Sequence, residues 1–347
     1  MYVLGIETSC DETSAAVVKD GSKILSCVVS SSLNFHKKYG GVVPEIAFRK
    51  QLETIAAVVD SSLKDAAIKL KDIKLISVTS GPGLLGSLLV GISFAKSLSL
   101  SLGIPLLGID HLQSHIYASF LSARYIALPF VGLVVSGGHT SLFYIKDFDR
   151  IRLLGSTLDD ACGESFDKVA KILGLGYPGG PPIERMGEKG DSEKIKFSCS
   201  DTKNPLDFSF SGIKTAVLYY VRRLSGPACR QAGYPALPAG RQVVRLSAQQ
   251  KQDIAASFQE AAIDTLIRKS LLACKQKKVN RLVVGGGVAA NNRLREKFFH
   301  QALAKKVKVY FPQFKLSLDN AAMVAGLGYR LFKKGHCSDL KLNADLN

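Results

Sequence analysis

Along most of the chain, short apolar runs alternate with longer stretches in which apolar residues recur every three or four positions. The short runs at 2–6, 13–19, 75–79, 104–109, 131–135, 141–145 and 282–284 predict strands. Helical periodicity marks 51–70, 110–123, 161–173, 248–277 and 319–332, and further helices are expected from about Leu84 and Asn291. Strands that alternate with helices in this way predict an α/β fold.

The strand pattern also repeats. Residues 2–6 and 13–19 flank Glu7-Thr8-Ser9-Cys10-Asp11-Glu12, a turn crowded with hydroxyls and carboxylates. Val131–Val135 and Ser141–Ile145 flank a second polar turn, Ser136-Gly137-Gly138-His139-Thr140. A strand, polar turn, strand unit cradles phosphate in one nucleotide-handling superfamily. Two such units predict two related α/β domains, 1–129 and 130–347. The stretch 225–242, rich in Gly, Pro and Ala, has no period and is expected to be a flexible surface insertion between two helices.

Composition narrows the class of partner. Lys plus Arg number 46 against 29 acidic residues, a net charge of +17, which favours a polyanion and nucleic acid before membrane. Seven scattered cysteines without a C-x-x-C pair fit reduced thiols in the cytoplasm, and the N-terminus has no signal-peptide pattern. The apolar stretch from Leu84 to Leu107 is interrupted by Gly, Ser, Lys96 and Pro105, so a buried helix and strand are expected there and not a membrane span.

Candidate chemistry centres on Asp110-His111-Leu112-Gln113-Ser114-His115. With Asp110 as N-cap, His111 and His115 stand at i and i+4 on one helix face, where two imidazoles can share a metal. Leu112 stands where a zincin carries its general-base glutamate, so peptide hydrolysis by that mechanism is excluded. A third ligand must come from elsewhere; Asp319 is the candidate, or else only the N-cap of the helix it precedes. Two imidazoles and one carboxylate suit iron(II) or zinc with positions left open. Ser136-Gly137-Gly138 and Gly285-Gly286-Gly287 allow close backbone approach to a ligand, while the Walker A pattern is missing.

These residues carry a resemblance. Gly5-Ile6-Glu7-Thr8-Ser9-Cys10-Asp11-Glu12-Thr13, Tyr39-Gly40-Gly41-Val42-Val43-Pro44-Glu45, the His111/His115 pair and Val135-Ser136-Gly137-Gly138-His139-Thr140 occur in order. They are followed by the run from Asp159 to Pro181, Phe208 to Lys214, Gly286 to Asn291, and Asp319-Asn320-Ala321-Ala322-Met323. The chain resembles the TsaD/Gcp family, which makes N6-threonylcarbamoyladenosine in tRNA. The resemblance implies an actin-like, sugar-kinase and Hsp70-like ATPase fold. It implies an acyltransferase that moves threonylcarbamoyl from threonylcarbamoyl-AMP to the adenosine 3′ of the anticodon. By motif it places one metal, usually iron(II), on His111, His115 and Asp319. It places the adenylate against Val135, Ser136, Gly137, Gly138, His139, Asp167, Gly180 and Asn291, and makes Asp11 and Glu12 the carboxylates that matter for activity. It implies a TsaB-like paralogue and a TsaE-like ATPase as partners.

Three departures stand out: Gln113 and Gln51 where relatives often carry glutamate and histidine, and Ser317-Leu318 where Cys-Thr is frequent. A small-molecule kinase of the same fold leaves the metal residues idle, and a non-catalytic paralogue is expected to have lost them.

Overall fold

The computed structural model describes residues 1–123, 125–224 and 246–345, so the 225–242 insertion lies outside the described residues. Each half of the chain builds one five-stranded sheet. In the first, β1 (Tyr2–Glu7), β2 (Glu12–Lys19) and β3 (Lys23–Ser31) are antiparallel neighbours. On the other side of β1, β4 (Ile73–Gly81) and β5 (Leu106–Asp110) run parallel, giving the order β3-β2-β1-β4-β5. The second sheet repeats this strand for strand. There β6 (Phe130–Val135) is central, β7 (Thr140–Asp147) and β8 (Arg150–Ser156) are antiparallel on one side, and β9 (Arg281–Gly285) and β10 (Lys308–Tyr310) are parallel on the other. Both central strands are buried on both faces, which is why they read as unbroken apolar runs.

A short helix α1 (Leu33–His36) leads towards α2 (Pro44–Asp65), and α2 and α3 (Leu85–Leu102) cover the outer face of the first sheet through Ile55, Val59, Leu88 and Ile92. The outer face of the second sheet is covered by α5 (Cys162–Leu173), α7 (Ser211–Leu224), α8 (Ala248–Lys277) and α9 (Asn292–Ala304), with the short α6 (Gly180–Gly187) against α8. Between the sheets lie α4 (His111–Ser122) and α10 (Ala321–Phe332), and they are exchanged. α4 follows the first sheet but packs on β6 and β9, whereas α10 follows the second and packs on β1, β2 and β4. The two helices also touch, and one core joins Val3 and Leu75 to Val134 and Val283 through Ile116, Ala118, Ala322 and Ala325.

Glycines make the exchange possible. A Cβ on Gly5 of β1 would meet the Ala321 carbonyl at 2.2 Å, and one on Gly285 of β9 would meet the His115 carbonyl at 2.3 Å. Only bare backbone lets each helix lie that close to its strand.

Some boundaries differ from the periodic pattern. α2 begins at Pro44 and not at Gln51, because proline at the first helical position lacks an amide that would have been orphaned anyway. It ends at Asp65, before Ala67 turns the chain at a positive φ, so the expected helix to Leu70 is broken. α3 has the length and apolarity of a membrane-crossing helix, yet it packs on β4 and α2.

Candidate active site

The exchanged helices bring their first turns together. Asp110 caps α4 as expected, its Oδ1 accepting the Gln113 amide at 2.8 Å. His111 and His115 then stack edge-on with ring centroids 4.6 Å apart. At α10 the cap is Asn320, whose Oδ1 accepts the Met323 amide at 3.1 Å. Asp319 is therefore not the cap, and its carboxylate turns to the histidines. Its Oδ1 lies 3.1 Å from His115 Nε2 and 3.8 Å from His111 Nε2, and the three ligand atoms all fall within 4.8 Å of one another.

The donor set fits a cation better than it fits itself. His115 is fully buried, and neither ring nitrogen has a hydrogen-bond partner; the 3.1 Å approach of Nε2 to Asp319 lacks hydrogen-bond geometry. Leaving a buried polar group unsatisfied costs about 1–3 kcal/mol. Two imidazoles and a carboxylate aimed at one point are a recognised set for iron(II) or zinc.

Behind His111 stands Glu7, buried at the end of β1. It accepts hydrogen bonds from the Ser9 amide at 2.6 Å, from Thr79 Oγ1 at 2.5 Å and from His111 Nδ1 at 3.1 Å. His111 donates its Nδ1 proton to Glu7 and turns Nε2 to the cluster; against burial, Glu7 and Asp319 raise the metal-free imidazole to about 9, so a bound cation would replace the Nε2 proton. Burial alone would raise the Glu7 carboxyl, but the facing His111 charge and these donors hold it below its ordinary value. The same contest at Asp319 ends at about 2, because His111 and His115 outweigh burial.

The first polar turn forms the adjacent wall. Its carbonyls are taken up by the scaffold. Gln51 Nε2 donates to Thr8, Cys10 and Glu12 at 3.4, 3.0 and 2.9 Å, the Leu84 amide donates to Ser9, and Ser32 N and Oγ donate to Asp11. The Asp11 and Glu12 side chains are left half-buried beside the cluster. Burial, then the charges of Asp319 and Asp11, push the Glu12 carboxyl up to about 9. Burial, followed by the charges of Asp167 and of Asp11, Cys10 and Glu12 in the first turn, raises the Tyr177 hydroxyl.

The second turn closes on itself, with the Ser136 amide donating to the His139 carbonyl at 2.8 Å and the His139 amide to Ser136 Oγ at 3.1 Å. A Cβ on Gly137 or Gly138 would meet nothing within 4 Å, so their upper faces are open. Burial and then the charges of His111 and His115 push the His139 imidazole down to about 4. The Val135 side chain is wholly in the core, leaving only its backbone for a ligand. Asp167 Oδ1 accepts the Gly179 amide at 2.6 Å just before Gly180 opens α6, and burial lifts its carboxyl to about 6. Asn291 caps α9 through Leu294 N and donates Nδ2 to Gln259 at 2.8 Å. Its side chain is thus engaged in structure.

Glu7, Gln51 and Tyr177 received no role from sequence reasoning. Glu7 left one signal, a carboxylate closing an otherwise apolar strand.

Two sheets of one topology, bridged by exchanged helices, define an actin-like, sugar-kinase and Hsp70-like ATPase architecture. Solved structures agree. The (R)-2-hydroxyglutaryl-CoA dehydratase component A of Acidaminococcus fermentans superposes with a TM-score of 0.56 at 15% identity, covering 95% of this chain and 98% of that one. Full-length HypF, in its phosphate- and nucleotide-bound form, gives 0.59 at 13% identity over 96% of this chain and 46% of its own. At such identities the likeness shows fold alone. The sequence goes further, matching the family described as tRNA N6-adenosine threonylcarbamoyltransferase over residues 23–326. The protein of that name from Thermosipho africanus is 49% identical over 346 residues, 99% of this chain and 98% of that one. The chain belongs to the tRNA N6-adenosine threonylcarbamoyltransferase family. Membership favours a transferase acting on tRNA over the kinase and inactive-paralogue readings.

Proposed function

We propose that the protein transfers threonylcarbamoyl from threonylcarbamoyl-AMP to N6 of the adenosine 3′ of the tRNA anticodon, with release of AMP. The observation that carries this reading is the His111, His115 and Asp319 cluster with its orphaned imidazole, set between two polar turns. N6 attacks the carbamoyl carbon, the bond from that carbon to the adenylate phosphate oxygen breaks, and one proton leaves N6. Asp11, on the wall beside the cluster, takes that proton, and Glu12, whose raised carboxyl keeps its own proton, hydrogen-bonds to it. The open backbone at Gly137 and Gly138, supported by Val135 and flanked by Ser136 and His139, orients the adenylate phosphate. Asp167, the start of α6 at Gly180, and Asn291 complete the adenylate's surroundings. Iron(II), with zinc as the alternative, held by His111, His115 and Asp319 supplies Lewis acidity to the acyl oxygens when bound. Glu7 keeps His111 in the tautomer that ligation needs.

A TsaB-like paralogue and a TsaE-like ATPase complete the working assembly, in the cytoplasm. The test incubates unmodified tRNA with threonylcarbamoyl-AMP, this protein and those partners, and then analyses the nucleosides. Wild type is expected to yield N6-threonylcarbamoyladenosine, while Asp319→Ala loses both bound metal and nearly all product. Equal product from both proteins would remove the metal assignment, and none from wild type would remove the reading.

A further inference from the structure

The segment between β3 and α2 has no part in the chemistry above, yet its surface is unusual. Phe35 and Tyr39 are 49% and 54% exposed, and each carries an ammonium over its ring. Lys50 Nζ stands 5.0 Å from the Phe35 centroid and Lys38 Nζ 4.9 Å from that of Tyr39. Lys37 lies exposed between them, and Lys171 of α5 reaches across from the other half to within 3.9 Å of the point where a Gly40 side chain would begin. Lys50 also meets Glu53 at 2.7 Å, an exposed pair of little net worth that a phosphate can displace.

Beneath this face, His36 is fully buried. Its Nδ1 accepts the Val43 amide at 3.2 Å, so the ring proton sits on Nε2, which faces Ser32 Oγ at 2.9 Å. Ser32 Oγ in turn donates to the Asp11 carbonyl at 2.8 Å. One buried relay thus ties the aromatic and basic face to the peptide that carries Asp11. A ligand seated on Phe35 and Tyr39 is held at a fixed distance from the carboxylates.

Alternating aromatic rings and ammonium groups suit a chain of unpaired bases and phosphates, since every base has a face to stack and every phosphate a charge to neutralise. We propose that Phe35, Tyr39, Lys37, Lys38, Lys50 and Lys171 form the seat for the single-stranded loop nucleotides that flank the target adenosine. The inference rests on the tRNA-modifying reading and adds where the loop binds. Stacking on Phe35 and Tyr39 splays the loop, and the His36–Ser32–Asp11 relay holds the exposed adenosine over Asp11 and Glu12.

The test uses the full chain with its partner proteins and a fluorescein-labelled anticodon stem-loop RNA. Phe35→Ala/Tyr39→Ala is expected to lower stem-loop affinity by about tenfold or more per lost stack, as read by anisotropy. It raises KM for tRNA while leaving KM for threonylcarbamoyl-AMP and the metal content unchanged. Phe35→Tyr/Tyr39→Phe is expected to restore binding, and Lys37→Glu/Lys38→Glu to weaken it with both rings in place. Wild-type affinity in the alanine and charge-reversal variants, with tRNA still modified by wild type, overturns this surface but not the function. Loss of a partner protein from the variant on size exclusion, with stem-loop affinity intact, reassigns the face to that partner. A wild type that modifies no tRNA overturns the function and this inference together.

Discussion

Three donors converge on the Glu7 carboxylate: an amide, a hydroxyl and the His111 ring. Glutamine of the same shape would turn an NH2 towards one of them, leaving two donors face to face in a dry pocket. Glu7→Gln is therefore expected to loosen the His111 ring and lower metal affinity by about 10–100-fold, measured by metal titration of chelator-stripped protein. Unchanged affinity would mean that His111 needs no such support. Gln51 shows what a sequence departure conceals. Its amide is buried and holds three carbonyls of the turn that carries Asp11 and Glu12, although the sequence offered only an unusual residue in a helix. Ser317 is similar, buried and bonded through Oγ to Arg295 at 3.1 Å, while Leu318 points largely to solvent.

At the scale of elements, the His111, His115 and Asp319 cluster depends on how closely α4 and α10 approach the strands they cross to. Gly285→Ala places a methyl 2.3 Å from the His115 carbonyl, so α4 must shift away from β9. Overpacking of this kind costs about 1–3 kcal/mol. The variant is expected to melt several degrees lower and to bind metal less tightly; a melting curve and metal affinity like wild type would show that α4 has room to move. Helix existence was legible where the period is strong, as in α5 and α10, and the Asp110 cap was legible from local chemistry. The cap of α10 was not, because Asp319 and Asn320 are both good capping residues and only their tertiary neighbours choose between them.

For the whole molecule, a formal charge of +17 becomes a prediction about salt. Phosphate contacts release counterions, so affinity for tRNA is expected to fall steeply and linearly on a plot of log affinity against log salt, by about 0.7 per single-stranded contact. A flat plot would show that the basic surplus does not serve the RNA. By itself the sequence determined the two α/β halves, because strand and helix periods are local and the two polar turns repeat. It also picked out the candidate metal pair, since His111 and His115 share one helix face whatever surrounds them. Only the tertiary structure decided that α4 and α10 change places, that Asp319 is a partner of the histidines and not a cap, and that Glu7 and Gln51 stand behind the site. These contacts join residues far apart in the chain. Such residues leave no period in the sequence, and their meeting is fixed by packing against glycines and by the burial of polar atoms that must find partners.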